Sequence, residues 1–140
     1  MKHPTKQLID LLREAVPEWP DAADLVDVLI RVSSVYDHLI DDDEHSKEDV
    51  HRMVRLLVYD LPLNRFFAEH RTMLLPIVMN AISAWRHADS DDFCRVKVGD
   101  IASEIGCAAL LVAGGPDRLE QYGIKVRSFA SEMVKANDRN

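Results

Sequence analysis

The feature that most constrains the fold of this chain is a helical repeat of apolar residues in its first third. The members are three, four, three and four residues apart: Leu25, Val28, Val32, Val35 and Leu39. Because an α-helix completes a turn about every 3.6 residues, this spacing places all five side chains on one face. Further apolar residues flank the stripe: Val26, Leu29, Ile30, Tyr36 and Ile40. A stripe of this width predicts a central helix that packs against more than one neighbour.

Other parts of the chain carry apolar residues at the same helical spacing. These segments are 5–16, 46–60, 74–85, 94–112 and 119–133. Prolines and glycines separate them, as Pro17 and Pro20 do near the amino terminus and Gly114-Gly115-Pro116 does near the carboxyl terminus. No run of alternating apolar and polar residues indicates a strand. We therefore predict an all-α fold: six or seven helices in a single compact bundle-like or orthogonal array that spans residues 1–140 as one domain.

The segment after residue 45 contains clear start and stop signals. Ser46 and Asp49 form a capping-box pattern, which predicts the start of a helix. The predicted helix carries apolar residues at helical spacing: Val50, Val54, Leu57 and Val58. Asp60-Leu61-Pro62 is predicted to end it. Asn64 is then predicted to cap a short helix whose first turn carries Phe66-Phe67 into the core.

The charge of the chain is negative and concentrated in one short segment. The formal net charge is -7, and residues 37–49 contain seven acidic residues against one lysine, a local net charge of -6. A protein that binds the phosphate backbone needs a clustered basic face, so we expect no direct nucleic-acid partner. Mimicry of DNA by the acidic segment towards another protein stays open.

Two features of the sequence bear on location. The amino terminus lacks the apolar block of a signal peptide, and no apolar run approaches the roughly 20 residues that span a bilayer. Cys94 and Cys107 show neither CxxC nor Cys-His zinc spacing, and we interpret them as reduced thiols. We therefore predict a cytoplasmic protein without a membrane partner.

Residues 37–45 concentrate the groups that could carry chemistry. They lie at the carboxyl end of the predicted central helix, where the helix dipole disfavours negative charge. Residues that go against the local structural preference in this way occur more often at functional sites than elsewhere in a protein. The carboxylates are Asp37, Asp41, Asp42, Asp43 and Glu44, and the imidazoles are His38 and His45.

Three interpretations of this segment are open: a solvated acidic turn, an acidic contact surface for another protein, and a metal site. Because residues three and four apart share a helix face, carboxylates and imidazoles could form one ridge that holds Mg²⁺ or Mn²⁺. That ridge would consist of Asp37, His38, Asp41, Asp42 and His45. Further ligands would have to come from elsewhere in the fold: Glu48, His51, Glu69, His70, His87, Asp100 or Glu104.

Residues 33–41 read Ser-Ser-Val-Tyr-Asp-His-Leu-Ile-Asp. They resemble the first aspartate-rich motif of trans-prenyl diphosphate synthases, Asp-Asp-x-x-Asp after a short apolar helix. In that family the motif binds Mg²⁺ and the substrate diphosphate, which implies a metal role for Asp37 and Asp41. Here His38 replaces the second aspartate, and no second aspartate-rich motif follows Leu119-Glu120-Gln121-Tyr122-Gly123, which is similar to the family's Leu-x-x-Tyr-Gly. The chain is about half the length of that fold, and we interpret the similarity as local convergence.

A broader set of short motifs extends from the acidic segment to Asp89. The set comprises Leu61-Pro62-Leu63-Asn64-Arg65-Phe66-Phe67, then Leu75-Pro76, then Ile82-Ser83-Ala84-Trp85 and Ala88-Asp89. Together they look like small hypothetical proteins encoded by tailed phages and prophages. This resemblance implies a genomic context, that of a phage or mobile-element accessory protein, and no mechanism.

Two hypotheses about function follow. The first is a non-enzymatic helical interaction protein that uses the five carboxylates of residues 37–44 to bind another protein or a second copy of itself. The alternative is a divalent-metal enzyme that acts on a diphosphate or a nucleotide, in which Asp37, His38, Asp41 and Asp42 hold the ion. His38 or His45 would then serve as a ligand or a general base. Only the alternative requires a cofactor, Mg²⁺ or Mn²⁺.

Overall fold

The fold is entirely helical in the part of the chain that the structure describes. The computed structural model describes residues 3–41, 47–87 and 92–138. The helices are α1 (Pro4–Ala15), α2 (Pro20–Asp41), α3 (Lys47–Arg55), α4 (Leu61–Leu63), α5 (Arg65–Glu69), α6 (Arg71–Arg86) and α7 (Asp92–Asp138), with a π-helical segment, Leu56–Asp60, between α3 and α4. No strand occurs within these ranges. The prediction of an all-α fold is confirmed.

Local stereochemistry sets the bounds of the first two helices. Nδ1 of His3 accepts a hydrogen bond from the backbone N–H of Thr5, 3.2 Å away, which caps α1. Pro4 lies in the first turn of α1, where a backbone N–H has no acceptor within the helix, so proline loses no hydrogen bond there. α1 ends at Ala15 and α2 begins at Pro20, so the predicted break between the first two helices is confirmed, and α1 lies one residue earlier than the predicted segment 5–16.

The central helix predicted from the apolar repeat is α2. It contacts both α1 and α7, and these two helices also contact each other, so all three share one hydrophobic core. The buried residues of α2 are Ala22, Ala23, Leu25, Val26, Leu29, Val32 and Val35. α6 packs on α7, and four of its residues at helical spacing are buried: Leu74, Val78, Ala81 and Trp85, of which Trp85 also packs on Tyr36 of α2. Three members of the predicted α2 repeat, Leu25, Val32 and Val35, are thus buried, and the other two, Val28 and Leu39, are partly buried against the core.

α7 folds back on itself at Gly115, as the Gly-Gly-Pro sequence predicts. Gly115 has a φ of 75°, in the left-handed region that glycine adopts without strain, and Pro116 begins the second arm. The first arm is 92–114 and the second arm is 116–138. A Cβ built on Gly106 in the first arm would lie only 3.0 Å from Cγ1 of Val126 in the second. The two arms pack this closely because residue 106 has no side chain.

Asn64 joins two parts of the fold. Its Oδ1 accepts a hydrogen bond from the backbone N–H of Phe67 at 2.9 Å, which caps α5 as predicted. Its Nδ2 donates to the carbonyl oxygen of Asp21 at 2.8 Å, which links α5 to the first turn of α2. Phe66 and Phe67 are both buried, so the predicted role of this turn is confirmed.

The predicted end of the third helix at Asp60-Leu61-Pro62 is wrong. Helical backbone continues through the π-helical segment and α4, and the chain leaves it only at Asn64. Pro62 does not stop the helix: it directly follows the wide π turn, and the helical backbone continues through it to Leu63. Ser46, the predicted cap of the third helix, lies outside the described residues. Pro76 lies inside α6.

Candidate functional site

The acidic segment predicted from the sequence lies at the carboxyl end of α2. Asp37 and His38 are exposed near the end of this helix. The other predicted members lie outside the described part of the chain: the side chain of Asp41, and Asp42, Asp43, Glu44 and His45. The acidic contact surface therefore stays a prediction at those positions.

The metal hypothesis depends on the same positions. Within the described ranges, no three His, Cys, Asp or Glu side chains are grouped so that they could hold a metal ion. His70, one of the additional candidate ligands, packs in an aromatic cluster: its ring centroid is 4.8 Å from that of Trp19 and 4.6 Å from that of Phe66. Its Nδ1 is 3.0 Å from the carbonyl oxygen of Phe66. His70 thus has a structural role, and the metal site stays a prediction.

α3 presents an apolar face to solvent. It packs on α2, yet none of its residues is buried. Four apolar side chains of α3 and the π-helical segment are exposed: Val50 (48%), Val54 (53%), Leu57 (38%) and Val58 (71%). We call these four residues the α3 stripe. Tyr59 and Leu63, the next large apolar residues outside the core, are exposed as well.

The π-helical segment sets the orientation of the α3 stripe. The backbone N–H of Leu61 donates to the carbonyl oxygen of Leu56, five residues earlier, and both side chains are buried. In an α-helix, residues five apart face different directions, whereas the wider π turn returns them to one side. Leu57 and Val58 lie between these two anchors and face outwards. The helix thus keeps its inner contacts while it exposes apolar side chains.

Basic residues border the α3 stripe on its solvent side. Lys47, His51 and Arg55 are four residues apart and exposed, so they form a row along one edge of the helix. The opposite edge is formed by Met53 and Leu56, which pack against the core. The surface therefore combines an apolar stripe with a basic edge, which is the pattern of a helix that docks against another amphipathic helix.

A cleft lies between the two arms of α7. Its volume is about 520 Å³. Its charged lining residues come from both arms: Asp100, Glu104, Arg127 and Lys135. Burial raises the pKa of the Cys107 thiol in this cleft, and the Arg127 guanidinium opposes the rise only in part. The thiol is therefore protonated at neutral pH, which makes it a weak nucleophile.

Comparisons of the chain with protein-family models, with curated proteins and with solved structures give no match. Among the helices described, none combines the length and the apolar character that crossing a bilayer would require. The resemblances to trans-prenyl diphosphate synthases and to small phage proteins stay predictions.

Proposed function

We propose that this protein is a non-enzymatic interaction protein that binds another protein through the α3 stripe. The observation that carries the proposal is the exposure of four apolar side chains, between 38% and 71%, along one face of a helix. Tyr59 and Leu63, which are 57% and 65% exposed, add to the apolar surface of this part of the chain. Exposed apolar patches of about 300–600 Å² are often functional. Removing apolar area from water is favourable by about 25 cal/mol per Å², so a helix that covers the stripe gains affinity from it.

The charges beside the stripe define the chemistry of the partner. The row of Lys47, His51 and Arg55 favours a partner helix that carries carboxylates along one edge. The acidic residues of segment 37–44 directly precede α3 in the chain and favour basic groups near one end of the same partner. Apolar contacts in such an interface supply most of the affinity, and the charges select the partner and its orientation.

The test uses three forms of the full-length chain as affinity baits in an extract of the cells that make it. Val54→Asp places a charge in the middle of the stripe. Ile124→Asp places the same charge on α7 at a position that is 75% exposed, and serves as the matched control. Far-UV circular dichroism first verifies that all three baits are folded.

We expect the wild-type chain and Ile124→Asp to retain a protein that Val54→Asp loses by about tenfold or more. That protein, once identified, is purified and its affinity for the three baits is measured directly. The proposal is wrong if the three baits retain the same proteins in the same amounts and Val54→Asp also leaves any self-association unchanged.

A further inference from the structure

We infer that the partner of the α3 stripe is a second copy of this chain, bound so that the two α3 helices run antiparallel. The inference rests on the proposed function, because it names the occupant of the same surface. Three properties of α3 support it: the spacing of its valines, the distribution of its charges, and the size of its exposed apolar face.

The valine spacing suits a pair of helices related by a twofold axis. In such a pair, each contact between two different residues is made twice, once in each direction. An axis that passes between Val50 and Val54, which are one helical turn apart, sets Val50 of each copy against Val54 of the other. Valine side chains are short, so helices that meet through them approach closely. Leu57 and Val58 extend the contact along the helix.

The charges along α3 favour the antiparallel orientation. Glu48 and Asp49 lie in the first turn of α3, after an acidic segment, whereas residues 50–59 carry Arg52 and Arg55 and no acid. Parallel copies would bring their acidic ends together, where like charges repel. Antiparallel copies set the acidic end of each α3 against the basic part of the other.

One ion pair in this arrangement can be named. Glu48 and Arg55 are both exposed and seven residues apart, so they lie on the same edge of α3. With the twofold axis between Val50 and Val54, Glu48 of each copy lies beside Arg55 of the other. The pair forms twice in the dimer and determines its orientation more than its affinity.

The exposed apolar face has the area of a reversible dimer. A standard interface buries about 800 Å² on each partner. In the antiparallel arrangement the two α3 helices overlap around Val50 and Val54, which are about half exposed, so the contact is smaller than this standard. A small contact favours a reversible monomer–dimer equilibrium over a permanent dimer.

Sedimentation equilibrium of the full-length chain, from low micromolar to several hundred micromolar, tests the inference. We expect a monomer–dimer equilibrium for the wild-type chain and for Ile124→Asp. Val54→Asp brings two carboxylates into the apolar contact and is expected to weaken dimerisation by about a hundredfold. Circular dichroism of each variant verifies that its helices are intact.

A charge-reversal series tests the antiparallel orientation with exposed residues alone. Glu48→Arg and Arg55→Glu each place like charges side by side twice in the dimer, and each is expected to weaken dimerisation by about tenfold. The double variant restores two opposite-charge pairs and is expected to return close to the wild-type affinity. If the double variant is as weak as the two single effects combined, the antiparallel arrangement is wrong.

The outcomes separate this inference from the proposed function. A wild-type chain that stays monomeric at several hundred micromolar overturns the inference, and the proposed function survives if the extract yields a partner that depends on Val54. A dimer that Val54→Asp does not weaken also overturns the inference, because its contact then lies elsewhere. Both proposals are overturned if Val54→Asp weakens neither the dimer nor the capture of proteins from the extract.

Discussion

Leu61 donates its backbone N–H to the carbonyl oxygen of Leu56, and both side chains are buried in the core. Five residues separate them, so this turn of the helix holds one residue more than an α turn does. The extra residue allows the helix to keep both leucines inside while Val58 and Tyr59 are exposed. Because π turns are uncommon and concentrate at functional sites, this turn links the fold to the proposed surface.

Deletion of Tyr59 is expected to convert the π turn into an α turn. Leu56 and Leu61 would then be four residues apart and both would stay on the inner side, so the loss in the free energy of unfolding should be limited to the cost of placing Pro62 inside a regular α-helix, about 3 kcal/mol. The control is deletion of Ile124, which is also exposed but lies in a regular helix. It rotates Val126 and the residues after it out of the core and should cost about 4 kcal/mol or more. Urea denaturation compares the two, and equal losses would contradict this role of the π turn.

Gly106→Ala is expected to destabilise the protein by about 1–3 kcal/mol, although alanine has the higher helix propensity. The new Cβ would lie 3.0 Å from Val126 and 3.6 Å from Leu12, both of which are buried, so the two arms of α7 would have to separate. Gly123→Ala is the control, because its nearest neighbour, at 3.1 Å, is the end of the flexible Arg127 side chain. It should stabilise by up to about 1 kcal/mol. Similar melting temperatures for the two variants would argue against the close approach at Gly106.

Asn64→Ala is expected to lower the free energy of unfolding by about 2 kcal/mol. It removes the cap of α5, worth about 1 kcal/mol, and the hydrogen bond to the carbonyl oxygen of Asp21, worth about as much again. Asn80→Ala, at an exposed position on α6, should be neutral or slightly stabilising. Chemical denaturation measures both variants. A neutral Asn64→Ala would show that neither hydrogen bond contributes to stability.

Glu18 is expected to make stability depend on pH. The Nη1 group of Arg118 donates to both carboxylate oxygens of Glu18, at 2.7 and 2.6 Å, and lowers the pKa of that carboxyl. A carboxyl whose pKa is lower in the folded chain stabilises the fold above its unfolded pKa, and this contribution is lost as the pH falls through the folded pKa.

Glu18→Gln should therefore lower the melting temperature at neutral pH, by a small amount because the pair is partly exposed. The difference from the wild-type chain should disappear below the folded pKa of Glu18. Glu14→Gln, at an exposed position on α1, is the matched control for the carboxyl-to-amide change itself. A difference between Glu18→Gln and the wild-type chain that persists unchanged in acid would contradict the assignment.

Thermal unfolding in EDTA and then in millimolar Mg²⁺ or Mn²⁺ distinguishes the proposed function from a metal-dependent enzyme. We expect no saturable change in melting temperature. An ion present at a hundred times its dissociation constant would stabilise the fold by about 2.7 kcal/mol, which is several degrees for a domain of this size. A saturable rise that Asp41→Asn abolishes would support the metal hypothesis for residues 37–45.

Much of the helical pattern could be predicted because it depends on residues close together in the chain. Pro17 and Pro20 separate the first two helices, the side-chain amide of Asn64 caps α5, and Gly115 with Pro116 reverses the chain, each through local chemistry. The α2 repeat likewise carries its periodicity in the sequence. The π turn could not be predicted from the sequence. The hydrogen bond between residues five apart, Leu61 and Leu56, forms because both side chains are buried in the core, and that burial depends on the tertiary structure.

The sequence by itself determined that this chain is helical, where most of its helices begin and end, and that α3 has an apolar stripe. Only the tertiary structure decided that this stripe faces solvent, while the repeat of α2, built from the same residue types, lies in the core. The physical reason is that amphipathic spacing specifies which side chains share a face, whereas burial requires another element to cover that face. α1 and α7 cover α2, but no described element covers the α3 stripe.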